Sequence, residues 1–321
     1  MTKLDCKPTA RRRGRCLQLL ALVLVGSLAL GGCKQQPLVS TPLAIPAFDP
    51  DTLQRLQHTR LVNGDEVMAQ KQLLANGEAG PYTTLNPYQP ATPLSFMHCA
   101  ADPNCRYALL GTGLPKLQFP ARPLVYDWWR NRATDPATAE ACGVRFSDDT
   151  RTDYELKTFP NLDALNATPG FILTHYQACG ACSSLQDLAV YGALDLTVMG
   201  KTCSKRWSLA DKKSCMQDIG FTEACAEAWA YNAQNTAQSC ALVCLRTYGL
   251  LALLQGTENV PTNDADGNLN ACLQCDEMMS GPGFQYSAGR IRRNSGIISE
   301  IERPGDQVYD VPHDYFPPGS E

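Results

Sequence analysis

Histidine is scarce in this sequence, and the common catalytic motifs are missing. The 321 residues include four histidines, which leaves few side chains for general-base catalysis. There is no Gly-x-Ser-x-Gly turn, no His-Glu-x-x-His pair and no P-loop. Neither Cys-x-x-Cys pair is followed by histidine, which argues against covalent haem attachment. The motifs therefore give no support for an enzyme, and we expect no cofactor and no metal site.

A surplus of positive charge is also missing. The chain has 28 Lys and Arg against 32 Asp and Glu, a formal net charge of −4. This balance argues against nucleic acid as a partner. Because 44% of the residues are apolar, the chain is not disordered throughout and can bury a core.

The first 32 residues are typical of an export signal. Basic residues precede an apolar run from Leu17 to Leu30. This run is shorter than the ~18 apolar residues that a membrane-spanning helix requires. It ends in Leu-Gly-Gly-Cys33, which resembles the lipobox of bacterial lipoprotein precursors. An ordinary secretory signal whose cleavage site ends in cysteine is the alternative interpretation.

The resemblance to lipoprotein precursors implies a membrane anchor. Residues 1–32 would be removed, and Cys33 would become the N-terminus, with a diacylglycerol on its sulfur and a further acyl chain on its amine. Two or more acyl chains suffice for stable anchoring. Because Lys34 rather than aspartate follows, the resemblance also implies transfer to the outer membrane. We expect a protein anchored in the cell membrane or outer membrane, facing the periplasm or the exterior, with the lipid bilayer as a partner.

The number of cysteines predicts disulfide bonds. Of 15 cysteines, Cys6 and Cys16 lie in the signal and Cys33 is the anchor. The even number that remains in an exported chain predicts six disulfides, whose connectivity the spacing leaves open. The remaining cysteines are Cys99, Cys105, Cys142, Cys179, Cys182, Cys203, Cys215, Cys225, Cys240, Cys244, Cys272 and Cys275.

The chain divides into segments of different composition. Residues 33–50 are predicted to be a Pro-rich tether, and residues 51–170 to contain a helix over 51–76 followed by an irregular Pro-rich region. Residues 171–303 are predicted to form a cysteine-rich helical core, and residues 304–321 an irregular tail. Runs of alternating strand pattern are lacking. The predicted fold class is mainly α, with a disulfide-stapled helical body and little sheet.

The longest predicted helix covers residues 222–255, with its cysteines and apolar residues on one face. In a continuous helix, Cys225 and Cys240 lie about 22 Å apart, which is too far for a disulfide. Cys240 and Cys244 lie one turn apart on the same face. We therefore expect each of these two to bond a neighbouring element.

Cys179-Gly-Ala-Cys182 precedes a predicted helix and is the main candidate for chemistry. A dithiol at a helix N-terminus has a lowered thiol pKa, as in thiol–disulfide oxidoreductases, and this activity is the alternative function. Cys272-Leu-Gln-Cys275 is a second such pair, and two pairs can together hold zinc or iron. In an oxidising compartment, structural disulfides are the preferred interpretation.

Arg290, Arg292 and Arg293 form a basic cluster next to Asn-Ser-Gly296. Arginine forks together with the backbone donors of a turn can bind a carboxylate or a phosphate, so these residues are anion-binding candidates. Salt bridges to the many Asp and Glu residues are the favoured alternative.

Two stretches resemble an uncharacterised cysteine-rich family. They are Cys179–Tyr191, with CxxC-Ser-x-Leu-Gln-Asp-Leu, and Cys272–Gly296, with Ala-Gly-Arg-x-Arg-Arg-Asn-Ser-Gly at its end. This resemblance implies no activity. The sequence as a whole predicts a membrane-anchored lipoprotein of the bacterial cell envelope with a disulfide-rich binding or structural domain. An envelope protein or a small anionic ligand is the expected further partner.

Overall fold

The computed structural model describes residues 43, 46–63, 129, 132–255, 260–301 and 307–317. The predicted signal, the predicted acylation site Cys33, and Cys99 and Cys105 lie outside these residues. Among the residues described, no helix is both long and apolar enough to span a membrane.

Four strands form one mixed sheet. They are β1 (Arg60–Asn63), β2 (Ala141–Phe146), β3 (Asp153–Phe159) and β4 (Ile172–Tyr176), in the order β1-β3-β2-β4. β2 is antiparallel to both β3 and β4, whereas β1 is parallel to β3. Apolar side chains are buried on both faces of the sheet, which explains why the central strand β2 has four consecutive buried residues.

The sheet is more extensive than the sequence analysis predicts. In β3 the buried Tyr154 and Leu156 alternate with the more exposed Asp153, Glu155 and Lys157, which is a short strand pattern of period two. The pattern was missed because it lasts only a few residues between turns. Helices nevertheless predominate, so the predicted helical body with disulfides is confirmed together with a small sheet.

Helices pack against the sheet and predominate in the second half of the chain. They are α1 (Pro50–Gln57), α2 (Leu162–Asn166), α3 (Leu185–Ala193), α4 (Leu196–Ser204), α5 (Leu209–Asp218), α6 (Glu223–Tyr248), α7 (Leu250–Gln255), α8 (Ala271–Met279) and α9 (Gly281–Ala288), with a 3₁₀ turn at Arg293–Ser295.

Side-chain caps explain where most of these helices begin. A side-chain oxygen just before the helix accepts backbone N–H groups of the first turn, which have no partner inside the helix. At α5 the cap is a capping box, in which Ser208 and Asp211 each bond the backbone of the other. The capping residues are Asp49, Asn161, Ser184, Asp195, Ser208, Thr222 and Asn270.

Three predicted boundaries are wrong. The helix predicted over residues 51–76 ends at Gln57, because the chain turns and β1 pairs with β3; residues 64–76 lie outside the described part. The long helix is interrupted at Gly249, whose φ of +83° is incompatible with helix continuation. The polar composition of residues 257–275 predicts a loop over that whole range, but the helix α8 already begins after residue 270, where Asn270 caps it.

The N-terminal and C-terminal described segments both pack on the body. Within the predicted tether, Leu43 N–H donates to Ala193 O at 2.9 Å and Ala47 N–H donates to Gly192 O at 2.8 Å, so this segment contacts the end of α3. In the predicted tail, which has no α-helix or strand in its described part, Val311 and Tyr315 are buried.

Five disulfides join the described elements. The pairs are Cys142–Cys179, Cys182–Cys225, Cys203–Cys215, Cys240–Cys275 and Cys244–Cys272. Helix α6 is continuous from residue 223 to 248, and its Cys240 and Cys244 both bond α8. The prediction that each of these two cysteines bonds a neighbouring element is therefore confirmed. The sixth predicted disulfide is not tested, because the two remaining cysteines, Cys99 and Cys105, lie outside the described residues.

The two bonds between α6 and α8 are nested, because the Cys244–Cys272 loop lies inside the Cys240–Cys275 loop. With one bond closed, opening the other releases a loop of only roughly eight residues. Replacing one pair by alanines is therefore expected to lower the free energy of unfolding by about 2.5 kcal/mol, and replacing both pairs by about 6 kcal/mol. Urea unfolding of the three variants measures these values.

The isolated Cys203–Cys215 bond, with a sequence separation of 12, serves as the control. Removing this bond is expected to lower the free energy of unfolding by about 3 kcal/mol, whether or not the α6–α8 bonds are present. If removing one α6–α8 disulfide lowers the free energy of unfolding as much as removing both, the nested arrangement is contradicted.

Candidate functional site

The Cys179 and Cys182 side chains do not form the dithiol that the oxidoreductase alternative requires. Cys179 bonds Cys142 on β2, and Cys182 bonds Cys225 on α6. Both cysteines are buried. The CxxC segment thus links the sheet to α6, with each sulfur committed to a different element.

The second CxxC pair is used in the same way. Cys272 and Cys275 lie on α8 and bond Cys244 and Cys240, so the two CxxC pairs do not come together as four thiolates. In the described part of the chain, no group of three or more His, Cys, Asp and Glu side chains is arranged to hold a metal ion.

The predicted anion-binding residue Arg290 is the largest fully buried side chain among the described residues. Its Nε–H donates to Cys182 O at 3.0 Å. Nη1 donates to Thr174 O at 3.0 Å and to Ser295 Oγ at 3.1 Å, and Nη2 donates to Thr174 Oγ1 at 2.6 Å and to Ser183 O at 3.1 Å. All five guanidinium N–H groups are therefore occupied by the protein itself.

Both interpretations of Arg290 from the sequence are wrong. The guanidinium is not available to an external anion, and its contacts are carbonyl and hydroxyl oxygens rather than carboxylates. Burial lowers the pKa of Arg290, and the buried tyrosines and Asp187 oppose this shift. The positive charge is stabilised mainly by oriented peptide and hydroxyl dipoles.

The other two arginines also contact the protein. Arg292 is buried, donates to Ile298 O at 3.1 Å and to Leu194 O, and lies 3.6 Å from a carboxylate oxygen of Glu300. Arg293 is half-buried in the 3₁₀ turn, where its carbonyl accepts from Tyr309 N–H. The favoured salt-bridge interpretation holds for Arg292.

A buried histidine–serine contact lies beside the guanidinium. His175 Nδ1 donates to Tyr176 O at 2.8 Å, which leaves Nε2 to accept from the Ser183 hydroxyl at 2.7 Å. Ser183 Oγ in turn accepts from Gly180 N–H at 2.7 Å. Burial and the charge of Arg290 hold the pKa of His175 well below its usual range, so the ring is neutral.

This contact has the atoms of a nucleophile–base pair but not the access. Both side chains are fully buried, and the His175 ring is oriented by a backbone carbonyl rather than by a carboxylate. No substrate reaches Ser183 in this arrangement. We therefore interpret the pair as part of a structural hydrogen-bond network.

Asp187 is the buried carboxylate of the same region. It caps the start of α6 by accepting from Thr222 N–H at 2.8 Å and from Thr222 Oγ1 at 2.8 Å, and it accepts from Ser184 Oγ at 2.6 Å. Burial raises the pKa of Asp187 to about 6, although these hydrogen bonds favour its charged form. Asp187 thus joins the N-terminus of α3 to that of α6.

Two glycines permit the backbones to cross at this point. A Cβ atom on Gly180 would lie 2.7 Å from Gly289 N, and one on Gly289 would lie 2.5 Å from Gly180 N. Gly289 also has a φ of +69°, which disfavours other residues. The close approach allows Ala181 and Cys182 to donate to the carbonyls of Ser287 and Ala288, at 2.9 and 2.8 Å.

These side chains form one polar centre, which we define as the buried Thr174, His175, Ser183, Asp187, Arg290, Asn294, Ser295 and Tyr315 together with the half-buried His313. Tyr315 Oη lies 2.8 Å from Thr174 Oγ1 and 2.8 Å from His313 Nδ1. Sequence analysis missed most of this centre because single polar residues spaced over 140 positions carry no local pattern. The repeated glycines around Arg290 were the available signal.

A family of unknown function, DUF8771, matches residues 209–311. No curated protein and no solved structure matches the chain. The matched range contains the predicted Cys272–Gly296 stretch but not Cys179–Tyr191. It is not self-contained in this structure, because Cys215 and Cys225 bond cysteines outside it and Arg290 donates to residues 174–183.

Substitution of Arg290 by methionine tests the polar centre. The change leaves five buried acceptor contacts unsatisfied at ~1–3 kcal/mol each, so we expect the free energy of unfolding to fall by more than about 4 kcal/mol. Arg290→Lys keeps the charge but offers only three donors, and is also expected to be strongly destabilising. Urea unfolding measures both.

The matched control is Arg246→Met on α6. This position is exposed, so we expect the free energy of unfolding to change by no more than ~0.5 kcal/mol. If Arg290→Lys is as stable as the unsubstituted protein, the charge alone suffices and the role assigned to the five hydrogen bonds is wrong.

The pH dependence of stability tests the burial of Asp187. Because its pKa is raised from 3.8 to about 6, folding favours the protonated form. The stabilisation that the protonated carboxyl provides is fully present below the pKa of Asp187 in the unfolded state. It is lost as the pH rises to 6 and above, which lowers the free energy of unfolding by about 3 kcal/mol. In Asp187→Asn this decrease is expected to vanish from unfolding free energies measured between pH 4 and pH 7.

Asp276, whose pKa burial also raises to about 6, keeps its own contribution in both proteins, so the difference between them isolates Asp187. Asp218→Asn, at an exposed position, is the control and should leave the profile unchanged. A profile of Asp187→Asn that is parallel to that of the unsubstituted protein would contradict the buried carboxyl.

Proposed function

We propose that this protein is a lipid-anchored lipoprotein of the bacterial cell envelope, and that its disulfide-stapled body is a binding or structural component there. The observation that carries the proposal is the commitment of all ten described cysteines to disulfides. Disulfides in this number form and persist in oxidising compartments such as the bacterial periplasm.

The N-terminal sequence supports the same compartment. The basic segment, the apolar run and Leu-Gly-Gly-Cys33 occur in the order of a lipoprotein signal. Acylation of Cys33 would attach the body to the cell membrane or, with Lys34 following, to the outer membrane, facing the periplasm or the exterior. Because the chain is acidic overall, acyl chains rather than net charge would provide the attachment.

The closed interior supports a binding or structural role over a catalytic one. The candidate nucleophile–base contact and the candidate dithiols are buried and fully bonded. A body held by five disulfides and a satisfied polar centre is rigid, which suits a protein that presents a fixed surface.

The variant Cys33→Ser tests the anchor. Because serine cannot form the thioether to diacylglycerol, we expect loss of acylation and loss of membrane association. Metabolic labelling with a clickable fatty acid, followed by mass measurement of the N-terminal peptide, reports the first. Fractionation of cells into membrane and soluble material reports the second.

Cys16→Ser is the matched control, because Cys16 lies in the segment that is removed. It should be acylated at Cys33 as the unsubstituted protein is. Acylation that persists in Cys33→Ser would overturn the proposed anchor.

A further inference from the structure

The most exposed large apolar side chain in the described part of the chain is Trp207. Its side chain is 98% exposed, and it lies between α4 and α5. A fully exposed tryptophan leaves its whole apolar surface in water, which is unfavourable unless another surface covers it.

The segment around Trp207 is held in place. We call residues 203–215 the Trp207 loop, because the Cys203–Cys215 disulfide closes it. Inside it, the Lys212 ammonium donates to Arg206 O, and Ser208 and Asp211 form the capping box of α5. The disulfide and these hydrogen bonds therefore hold the Trp207 loop in the conformation in which Trp207 is exposed.

The charge beside Trp207 differs from that of the whole chain. Residues 201–208 contain Lys201, Lys205 and Arg206 and no acidic residue, whereas the chain carries a net charge of −4. Lys205 is exposed, and the other two are half-buried. Asp211, further along the loop, is occupied by the capping box. A tryptophan next to basic side chains is complementary to the interface of a bilayer with anionic headgroups.

The covalent path allows this loop to reach the bilayer that holds Cys33. Ten residue steps separate Cys33 from Leu43, which is bonded to the end of α3, and they span at most ~36 Å. From Ala193 along α4 to Trp207 the chain spans at most ~35 Å. Because these two maximum lengths are similar, a body anchored through Cys33 can turn so that Trp207 meets the membrane surface.

We infer that the Trp207 loop docks the body onto the anionic headgroup region of the bilayer, with the Trp207 ring inserted and Lys205 and Arg206 against phosphate groups. This inference rests on the proposed lipid anchor, which holds the protein at that surface. Docking fixes the orientation of the body, so that its acidic remainder faces away from the membrane.

Quenching of tryptophan fluorescence by bromine-labelled acyl chains tests the inference. The mature protein, purified from the cells that produce it, is reconstituted into vesicles that contain phosphatidylglycerol, or only phosphatidylcholine, with brominated chains in both. We expect quenching in the phosphatidylglycerol vesicles and little in the neutral ones. The quenched component should disappear in Trp207→Phe and persist in Ile298→Ala, a control position whose side chain is 80% exposed.

Matched charge variants test the contribution of the basic residues. Lys205→Gln is expected to lower the ratio of docked to undocked protein about five-fold, as a loss of about 1 kcal/mol per basic residue near an anionic surface implies. Lys157→Gln makes the same change of net charge at an exposed position on β3 and should have no effect.

The failures of the two proposals are distinguishable. Protein that does not float with vesicles lacks the anchor, whereas protein that floats with Trp207 unquenched has the anchor but does not dock, which overturns the inference. Equal quenching in both kinds of vesicle, or equal effects of Lys205→Gln and Lys157→Gln, also overturns it. If Trp207 becomes protected from soluble iodide as protein concentration rises without vesicles, its cover is a second copy of the chain, and the inference is overturned.

Discussion

The burial of the Arg290 guanidinium constrains the arrangement of everything around it. A positive charge removed from water is tolerated only where every donor is satisfied. Here the acceptors come from β4 at Thr174, from the CxxC segment at Cys182 and Ser183, and from the 3₁₀ turn at Ser295. Segments more than one hundred residues apart must therefore meet with correct geometry before the charge is stabilised.

Covalent and polar constraints act on the same segment. Cys179 and Cys182 bond the sheet and α6, while the carbonyls of Cys182 and Ser183 accept from Arg290. The CxxC spacing, which in an oxidoreductase brings two sulfurs together, here directs them to opposite partners. The result is a covalent connection between the sheet and the helices at the point where the Arg290 guanidinium is buried.

The described surface includes a disulfide-closed loop that holds an exposed tryptophan. Trp207 and its basic neighbours lie on this loop, and the Trp207 side chain is almost fully exposed. Rigidity of the body and exposure of one apolar side chain are complementary features, since a fixed loop keeps an apolar group in water without collapsing onto the protein.

The features that depend on local spacing follow from the amino-acid sequence alone. A continuous α6 excludes a Cys225–Cys240 bond and places Cys240 and Cys244 on one face, and both inferences hold because helix geometry is set by neighbouring residues. The tertiary structure alone decided the sheet order, the partners of the CxxC cysteines and the burial of Arg290. A basic residue has the same sequence appearance on a surface as in a core, and only its acceptors, which come from distant segments, distinguish the two.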